Sequence, residues 1–252
     1  MDSREFPASI DDPRVTDRFC RRLPGADGDL LLLGVVHDHP ASVGRVERVL
    51  EAVDPGPETV ALELPPAATP LYEAYARDAD THPPRFGGEM SAAIRAAPDA
   101  NIVGIDAPNW SFLRRVLTRL VADRASARTA RRVVSSVGAA SREAVTCRVA
   151  ATLTNATSMT IAHDDHEPIE YDCTHDDPPE RQASHERSHV AGVHALLGGI
   201  DADGDQSALA YRDDTREECM IDRLEQLRRD AGDVVAVVGI DHLERLADEL
   251  DR

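Results

Sequence analysis

The chain contains no lysine: all 28 basic residues are arginine, set against 46 aspartates and glutamates, for a formal net charge of −18 over 252 residues. Nucleic acid is a poor partner for such a surface, because that binding rests on neutralising phosphates with clustered cations. A dense carboxylate surface without lysine suits a salt-loaded cytoplasm, where dissolved ions screen self-repulsion. An apolar run of about 18 residues or more is also lacking, so no membrane-spanning segment is expected. The opening MDSREFPASIDDPR has neither a basic region nor an apolar stretch. A secretory leader is therefore not expected, and the reading is a cytoplasmic protein. Cys20, Cys147, Cys173 and Cys219 are scattered without a CxxC pair. Neither a disulfide framework nor a thiolate zinc knuckle is indicated, and reduced structural thiols are expected.

What is present is organised around Leu30 to Leu64, LLLLGVVHDHPASVGRVERVLEAVDPGPETVALEL. Leu30 to Val36 is short and uniformly apolar, the pattern of a central strand covered on both faces. Pro40 sits where a helix can start, and Val43, Val46, Val49, Leu50 and Val53 follow with helical spacing. Asp54, Pro55, Gly56 and Pro57 end that helix, and Thr59 to Leu64 returns as a second apolar run interrupted by Glu63. The segment reads as a β-α-β unit.

Before it, residues 1–29 are polar and turn-rich and read as a loosely attached lead-in. After it, helices are expected over 71–79 and 90–97, separated by a Pro/Gly/His loop in which His82 reads as solvated. Asn101 to Ile105 reads as a third strand, ending at Asp106. From Trp110 to about Thr152 the pattern is helical and arginine-rich, with Phe112, Leu113, Val116, Leu117, Leu120 and Val121 as the buried face and the arginines as a solvated, ion-paired face. Residues 155–205 are rich in His, Asp and Pro and read as an insertion or lid over a cleft. A helix over 214–229, a last strand over 233–238 and a terminal helix carrying Leu243, Leu246, Ala247 and Leu250 complete the chain. The fold class expected is α/β: one domain over 1–252, a mostly parallel central sheet flanked by helices, and the His/Asp-rich insertion.

In open parallel sheets ligands bind outside the carboxyl ends of the strands. His37, Glu63, Asp106 and His242 each fall at or near such an end, and the two segments Gly34–His37 and Gly239–His242 both spell GxxH after an apolar strand. Two imidazoles and one or two carboxylates suit a divalent metal such as manganese, cobalt or zinc, which makes hydrolysis the expected reaction class. In this reading His37 and His242 bind metal, Glu63 binds metal or acts as general base, Asp106 orients a ligand or water, and Arg216 holds an anionic group or developing oxyanion. The competing reading is that Asp106 and His242 cap the helices that follow them. His39 reads as a possible extra ligand, with a surface residue at the helix start the favoured alternative. A separate motif, His185-Glu186-His189, spells HExxH, in which histidines one helical turn apart share zinc and the glutamate activates water. The long form of that motif misses here, because His194 falls one residue early.

Taken in chain order, Gly34-Val35-Val36-His37, Val60-Ala61-Leu62-Glu63-Leu64, Gly104-Ile105-Asp106 followed by Phe112-Leu113-Arg114-Arg115, Arg216-Glu217-Glu218-Cys219-Met220 and Gly239-Ile240-Asp241-His242 resemble the TraB/PrgY and Tiki family. The resemblance spans Leu30 to His242. It implies an α/β core whose paired GxxH histidines and a glutamate hold a divalent metal, with metal-dependent peptidase activity in Tiki-like members and binding or clearance of a peptide pheromone in others. By position His37 and His242 take the two histidines, Glu63 the glutamate and Arg216 the arginine of the RxxxM helix. The partner implied is a peptide or other small substrate. Three readings stand: a peptidase-like metal hydrolase, a non-catalytic peptide-binding or regulatory protein using the same cleft, and an HExxH protease. Self-association is left open.

Overall fold

A computed structural model of the chain describes residues 8–26, 28–77, 81–107, 110–122, single helical positions between 130 and 151, 171–197 and 206–252. Its strands are β1 (Cys20–Leu23), β2 (Leu30–Val35), β3 (Thr59–Leu62), β4 (Asn101–Gly104) and β5 (Val234–Gly239). They form one sheet in the order β1-β2-β5-β3-β4, parallel throughout except for β1, which runs antiparallel to β2. The described helices are α1 (Pro40–Ala52), α2 (Thr69–Ala76), α3 (Gly88–Ala96), α4 (Trp110–Ala122), α5 (Pro179–Leu197), α6 (Gln206–Ala231) and α7 (Ile240–Leu250). The fold is α/β, with a mostly parallel sheet between helical layers. Among the described residues no helix is long and apolar enough to cross a membrane.

Alternation along the strands divides the core into two layers. Leu31, Leu33 and Val35 of β2, with Val60, Leu62, Val235 and Val237, pack against Val46, Val49 and Leu50 of α1, Met90 and Ala93 of α3 and Val190 of α5. Leu30 and Leu32, with Ala61, Val234, Ala236 and Val238, face Met220, Leu224 and Leu227 of α6 and Leu243, Leu246 and Leu250 of α7. Every residue of β2 is buried, as its uninterrupted apolar run requires. Gly34 is a packing position: a β-carbon there would lie 2.8 Å from Leu243 Cδ2 and 2.9 Å from Ile240 Cδ1, so both side chains of α7 would have to shift to admit it.

Four expectations are corrected. The lead-in is not loosely attached over its described part, since Ile10, Val15 and Phe19 are buried in the first core layer and Cys20–Leu23 pairs with β2. Arg14 further ties it to α5 by donating to Gln182 Oε1 at 3.0 Å. The segment read as an insertion contributes α5, which packs on α1 and buries Gln182, Ala183, Glu186 and Val190; residues 152–170 and 198–205 lie outside the described residues. His39 is not a surface residue but is fully buried, its Nδ1 capping α1 by accepting the Ala41 N–H at 3.1 Å. Leu117, read as part of the buried face of the arginine-rich helix, is instead 56% exposed, while Phe112, Val116 and Leu120 of the same helix are buried. All four cysteines are free and buried, His82 is 76% exposed, and Arg115 and Arg119 pair with Glu218 across the α4–α6 contact.

The charge excess predicts a salt response. Self-repulsion among 46 acidic residues is screened by dissolved ions, so the thermal midpoint is expected to rise from dilute buffer to multimolar KCl. Calorimetric melting at both ends of that series checks it; equal midpoints sink the reading of a salt-adapted surface.

Candidate functional site

Because β2, β5, β3 and β4 are parallel, their carboxyl ends share one edge of the sheet. Glu63 follows β3, and Asp106 lies two residues beyond β4. His242 occupies the first turn of α7, directly after β5. Arg216, from α6, reaches across to join them. Its Nε donates to Asp106 Oδ1 at 2.8 Å and its Nη2 to Asp106 Oδ2 at 2.7 Å, a two-pronged clamp of the kind planar guanidinium favours. The same Nη2 donates to Glu63 Oε1 at 3.1 Å. Glu63 Oε2 accepts the Gly239 backbone N–H at 2.6 Å, and Glu63 Oε1 lies 3.3 Å from His242 Nε2. The other ring nitrogen of His242 meets Glu217 Oε1 at 2.6 Å, and Glu217 Oε2 pairs with Arg245.

His37, two residues past β2, stands beside this network rather than inside it. Its Nδ1 is 2.8 Å from Glu89 Oε1, and the second Glu89 oxygen accepts the Asp38 N–H at 3.0 Å. Tyr171 donates its hydroxyl to the His37 carbonyl at 2.8 Å. The structure thus joins Glu63, Asp106, Arg216 and His242 in direct contact, with His37 on the neighbouring strand end. The capping role does not apply to His242, and residues 108 and 109, which join Asp106 to α4, lie outside the described residues. His242 is inside α7, whose cap residue is Gly239, and among the described residues Asp106 Oδ1 accepts only the adjacent Ala107 N–H, at 2.6 Å, besides Arg216.

The electrostatics follow from these contacts. Burial pushes the Glu63 carboxyl up, but His242, the Gly239 N–H and Arg216 together outweigh it and hold the group below the usual range. His242 is raised to about 9, first by Glu63 and further by Glu217. His37 is also raised to about 9, chiefly by its hydrogen bond to Glu89. A histidine whose folded value is raised contributes stability that is complete below its ordinary 6.5 and is lost as pH climbs through about 9. Urea unfolding across that window is expected to show stability declining, more from His242, whose side chain is 16% exposed, than from His37, at 62%. A flat profile removes the His–Glu pairs as contributors.

Arg216 differs from its expected role. The sequence reading has it holding an anionic ligand, yet two of its nitrogens bind Asp106 and Glu63 and the third lies 3.9 Å from Asp213. It acts instead as an internal brace between two carboxylates. Glu89 and Glu217 escaped the sequence reading. Glu217 carried a signal, as the neighbour of Arg216 in the REECM stretch; Glu89 carried none, since it sits in the first turn of a short helix opened by an unremarkable Gly-Gly.

The HExxH residues are arranged otherwise than in a zinc protease. Glu186 is fully buried, ion-paired with Arg45 and accepting the Ser42 hydroxyl at 2.6 Å. It therefore faces α1 and the core, not a ligand between the two histidines. His185 Nδ1 lies 2.9 Å from His39 Nε2. Because His39 Nδ1 accepts a backbone N–H, the His39 proton sits on Nε2 and is donated to His185. His39 stays neutral, pushed down to about 3 by burial and by His185, His189 and Arg45.

Among the described residues no group of three or more His, Cys, Asp or Glu side chains is gathered as a metal cage. The residue types at the strand ends, two histidines and a glutamate, are those a divalent ion uses, but they are not drawn together around one point. Both GxxH rings are engaged by carboxylate at Nδ1, and His242 Nε2 and Glu63 Oε1 already converge. His37, His242 and Glu63 are the residues that would hold it. Compared with known proteins, the chain matches no family model, no curated protein and no solved structure.

Proposed function

We propose that the strand-end cluster is the active site of a divalent-metal-dependent hydrolase acting on peptides, the activity that the resemblance to TraB/PrgY and Tiki proteins implies. The observation that carries this reading is the convergence of Glu63, Asp106, Arg216 and His242, delivered by four separate elements, into one hydrogen-bonded network at the ligand-binding edge of a parallel sheet. Perturbed titratable groups gathered at such an edge are a signature of catalytic sites.

The chain's own residues have definable roles. The Gly239 N–H and Arg216 fix the Glu63 carboxylate from two sides and keep it ionised, so that it can take a proton from a nucleophilic water. Asp106 keeps Arg216 in place through both oxygens. His37 and His242 would present imidazole nitrogens to the metal, with Glu63 the oxygen donor. A divalent ion held by these residues would supply Lewis acidity toward a carbonyl and toward water.

The test is Glu63→Gln. With manganese, cobalt or zinc supplied and a peptide library as substrate, turnover is expected to fall about a hundredfold or more while the melting curve stays cooperative. Surviving turnover removes Glu63 from the chemistry. Peptide-induced stabilisation of the wild type without any product would replace the hydrolase with a peptide-binding protein. Elemental analysis of His37→Ala and His189→Ala is expected to show metal lost only from the first; loss only from the second would move the site to α5.

A further inference from the structure

The first histidine of the HExxH stretch has a use that needs no metal. His39 is fully buried at the start of α1, and its Nδ1 is committed to the Ala41 N–H at 3.1 Å. Its proton therefore sits on Nε2, which lies 2.9 Å from His185 Nδ1 on α5. That contact is a hydrogen bond only while His185 Nδ1 is bare, so His185 is neutral there with its own proton on Nε2. We propose, independently of the chemistry at the strand ends, that the His39–His185 pair is a proton-operated latch, which holds α5 on α1 while His185 is neutral and lets go when His185 gains a second proton.

The direction follows from the ring nitrogens. An imidazolium donates at both nitrogens and accepts at neither, so charging His185 sets two N–H groups against each other. His39 cannot answer by moving its proton to Nδ1, because the α1 cap would be lost and the Ala41 N–H would meet another donor. Nor can His39 share the charge, since burial and the neighbouring His185, His189 and Arg45 hold it down to about 3. His185 is half-buried, and of the two it alone has a way out to solvent.

The surroundings offer an imidazolium little. Arg45 and Glu186 neutralise one another, and the other Glu186 oxygen accepts the Ser42 hydroxyl. His189 stands one turn along α5, its ring centroid 6.5 Å from that of His39, and His175 approaches from the segment before α5 with Asp176 beside it. Asp38 and Glu89 lie towards Tyr171, and Glu89 is occupied by His37 and the Asp38 N–H. Among the described residues the histidines in ion pairs are His37, His82, His194 and His242, none of them in this cluster.

Tyr171 defines what the latch releases. Its ring meets His39 edge-on at 4.6 Å, His189 at 5.3 Å and His185 at 6.1 Å, and its hydroxyl donates to the His37 carbonyl at 2.8 Å. Gln182 of α5 reaches back to the carbonyls of Thr174, His175 and Asp177, which ties this segment to the helix. Charging His185 thus loosens a strap that closes on the end of β2.

Hydrogen exchange of the full chain tests this, comparing α5 amides with those of β5 from about pH 8 to pH 5, the range in which imidazoles charge. His37 and His242, raised to about 9, stay charged throughout it. After correction for the intrinsic pH dependence of exchange, α5 protection is expected to fall about tenfold or more towards the acid end while β5 is unchanged. His185→Asn keeps a neutral acceptor close to the Nδ1 position and is expected to hold α5 protected across the range. His39→Asn keeps the α1 cap but removes the donor, and is expected to leave α5 weakly protected at both ends. Nitrogen-15 spectra of the wild type at about pH 8 are expected to show both rings in the Nε2–H form. His185 in the Nδ1–H form overturns the proposal, as does α5 protection that follows β5 across the range. Undiminished pH dependence in His185→Asn overturns it too, and assigns the response to another group such as His189 or His175. Should His185→Asn not fold, the wild-type spectra and exchange series still decide.

Discussion

Replacing Glu186 with glutamine is expected to lower the unfolding free energy by about 3 kcal/mol or more, the cost of leaving one member of a buried ion pair without its partner. Neither Arg45 nor Glu186 has any exposed side-chain surface. Arg45 is otherwise held by the carbonyls of Arg14 and Gly34, each at 2.7 Å, and lies 4.1 Å over the Phe19 ring. Those neutral partners do not balance its charge. The pair ties α1 to α5 and to the segment before β1, so its loss is felt across the whole first core layer. Urea titration of the wild type and of Glu186→Gln measures the difference. The double replacement Arg45→Met with Glu186→Leu is expected to recover much of it, because exchanging both charges for apolar groups of similar size removes the burial penalty along with the attraction. A glutamine variant as stable as the wild type would mean that Arg45 is neutralised by some other route. The expected loss also bears on HExxH: a glutamate whose replacement costs about 3 kcal/mol of stability is serving the core.

Arg216→Leu is the second large effect, and it is expected to depend on pH. The guanidinium separates Glu63 from Asp106, whose side chains are only 6% and 10% exposed. Without it two buried carboxylates face each other with His242 as the nearest cation, and one of them takes up a proton. At neutral pH the variant is expected to lose about 3 kcal/mol, as for other broken buried pairs. The sign of the pH dependence follows from Glu63. Its folded value lies below its ordinary 4.5, so in the wild type its contribution is present above 4.5 and fades as pH falls through the folded value. The variant lacks that contribution, and the gap between the two proteins is expected to narrow in acid. Unfolding titrations at neutral pH and below 4.5 check this; a gap that stays constant would assign the loss to packing of the arginine stem.

Much of the architecture was legible from local pattern. The uniform apolar runs at Leu30–Val35 and Val234–Gly239 marked fully covered strands, and the valines of Pro40–Ala52 marked the crossover helix. These readings work because burial on two faces or on one stripe imposes a period that a short window of sequence displays. The placement of Glu63, Asp106, His37 and His242 at strand ends was legible for the same reason. What misled was composition. A polar segment before β1 and a His/Asp-rich segment after residue 155 looked peripheral, yet Phe19 and Val190 enter the core and Arg14, Gln182 and Glu186 knit the two segments to α1 and to each other.

The strand ends and the chemical character of the groups standing there are properties of the sequence alone, since a strand's period and its terminating residues are local. Which of those groups touch was decided only by tertiary structure. Insertion of β5, the last strand in the chain, between β2 and β3 brings His242 against Glu63 and one strand from His37. The partners that set ring orientation and charge come from far along the chain, His37 and Glu89 being 52 positions apart and Glu63 and Arg216 153 positions apart. No periodicity encodes such pairings. They depend on where crossovers return the chain and on whether a buried charge, once returned, finds an opposite one within hydrogen-bonding distance.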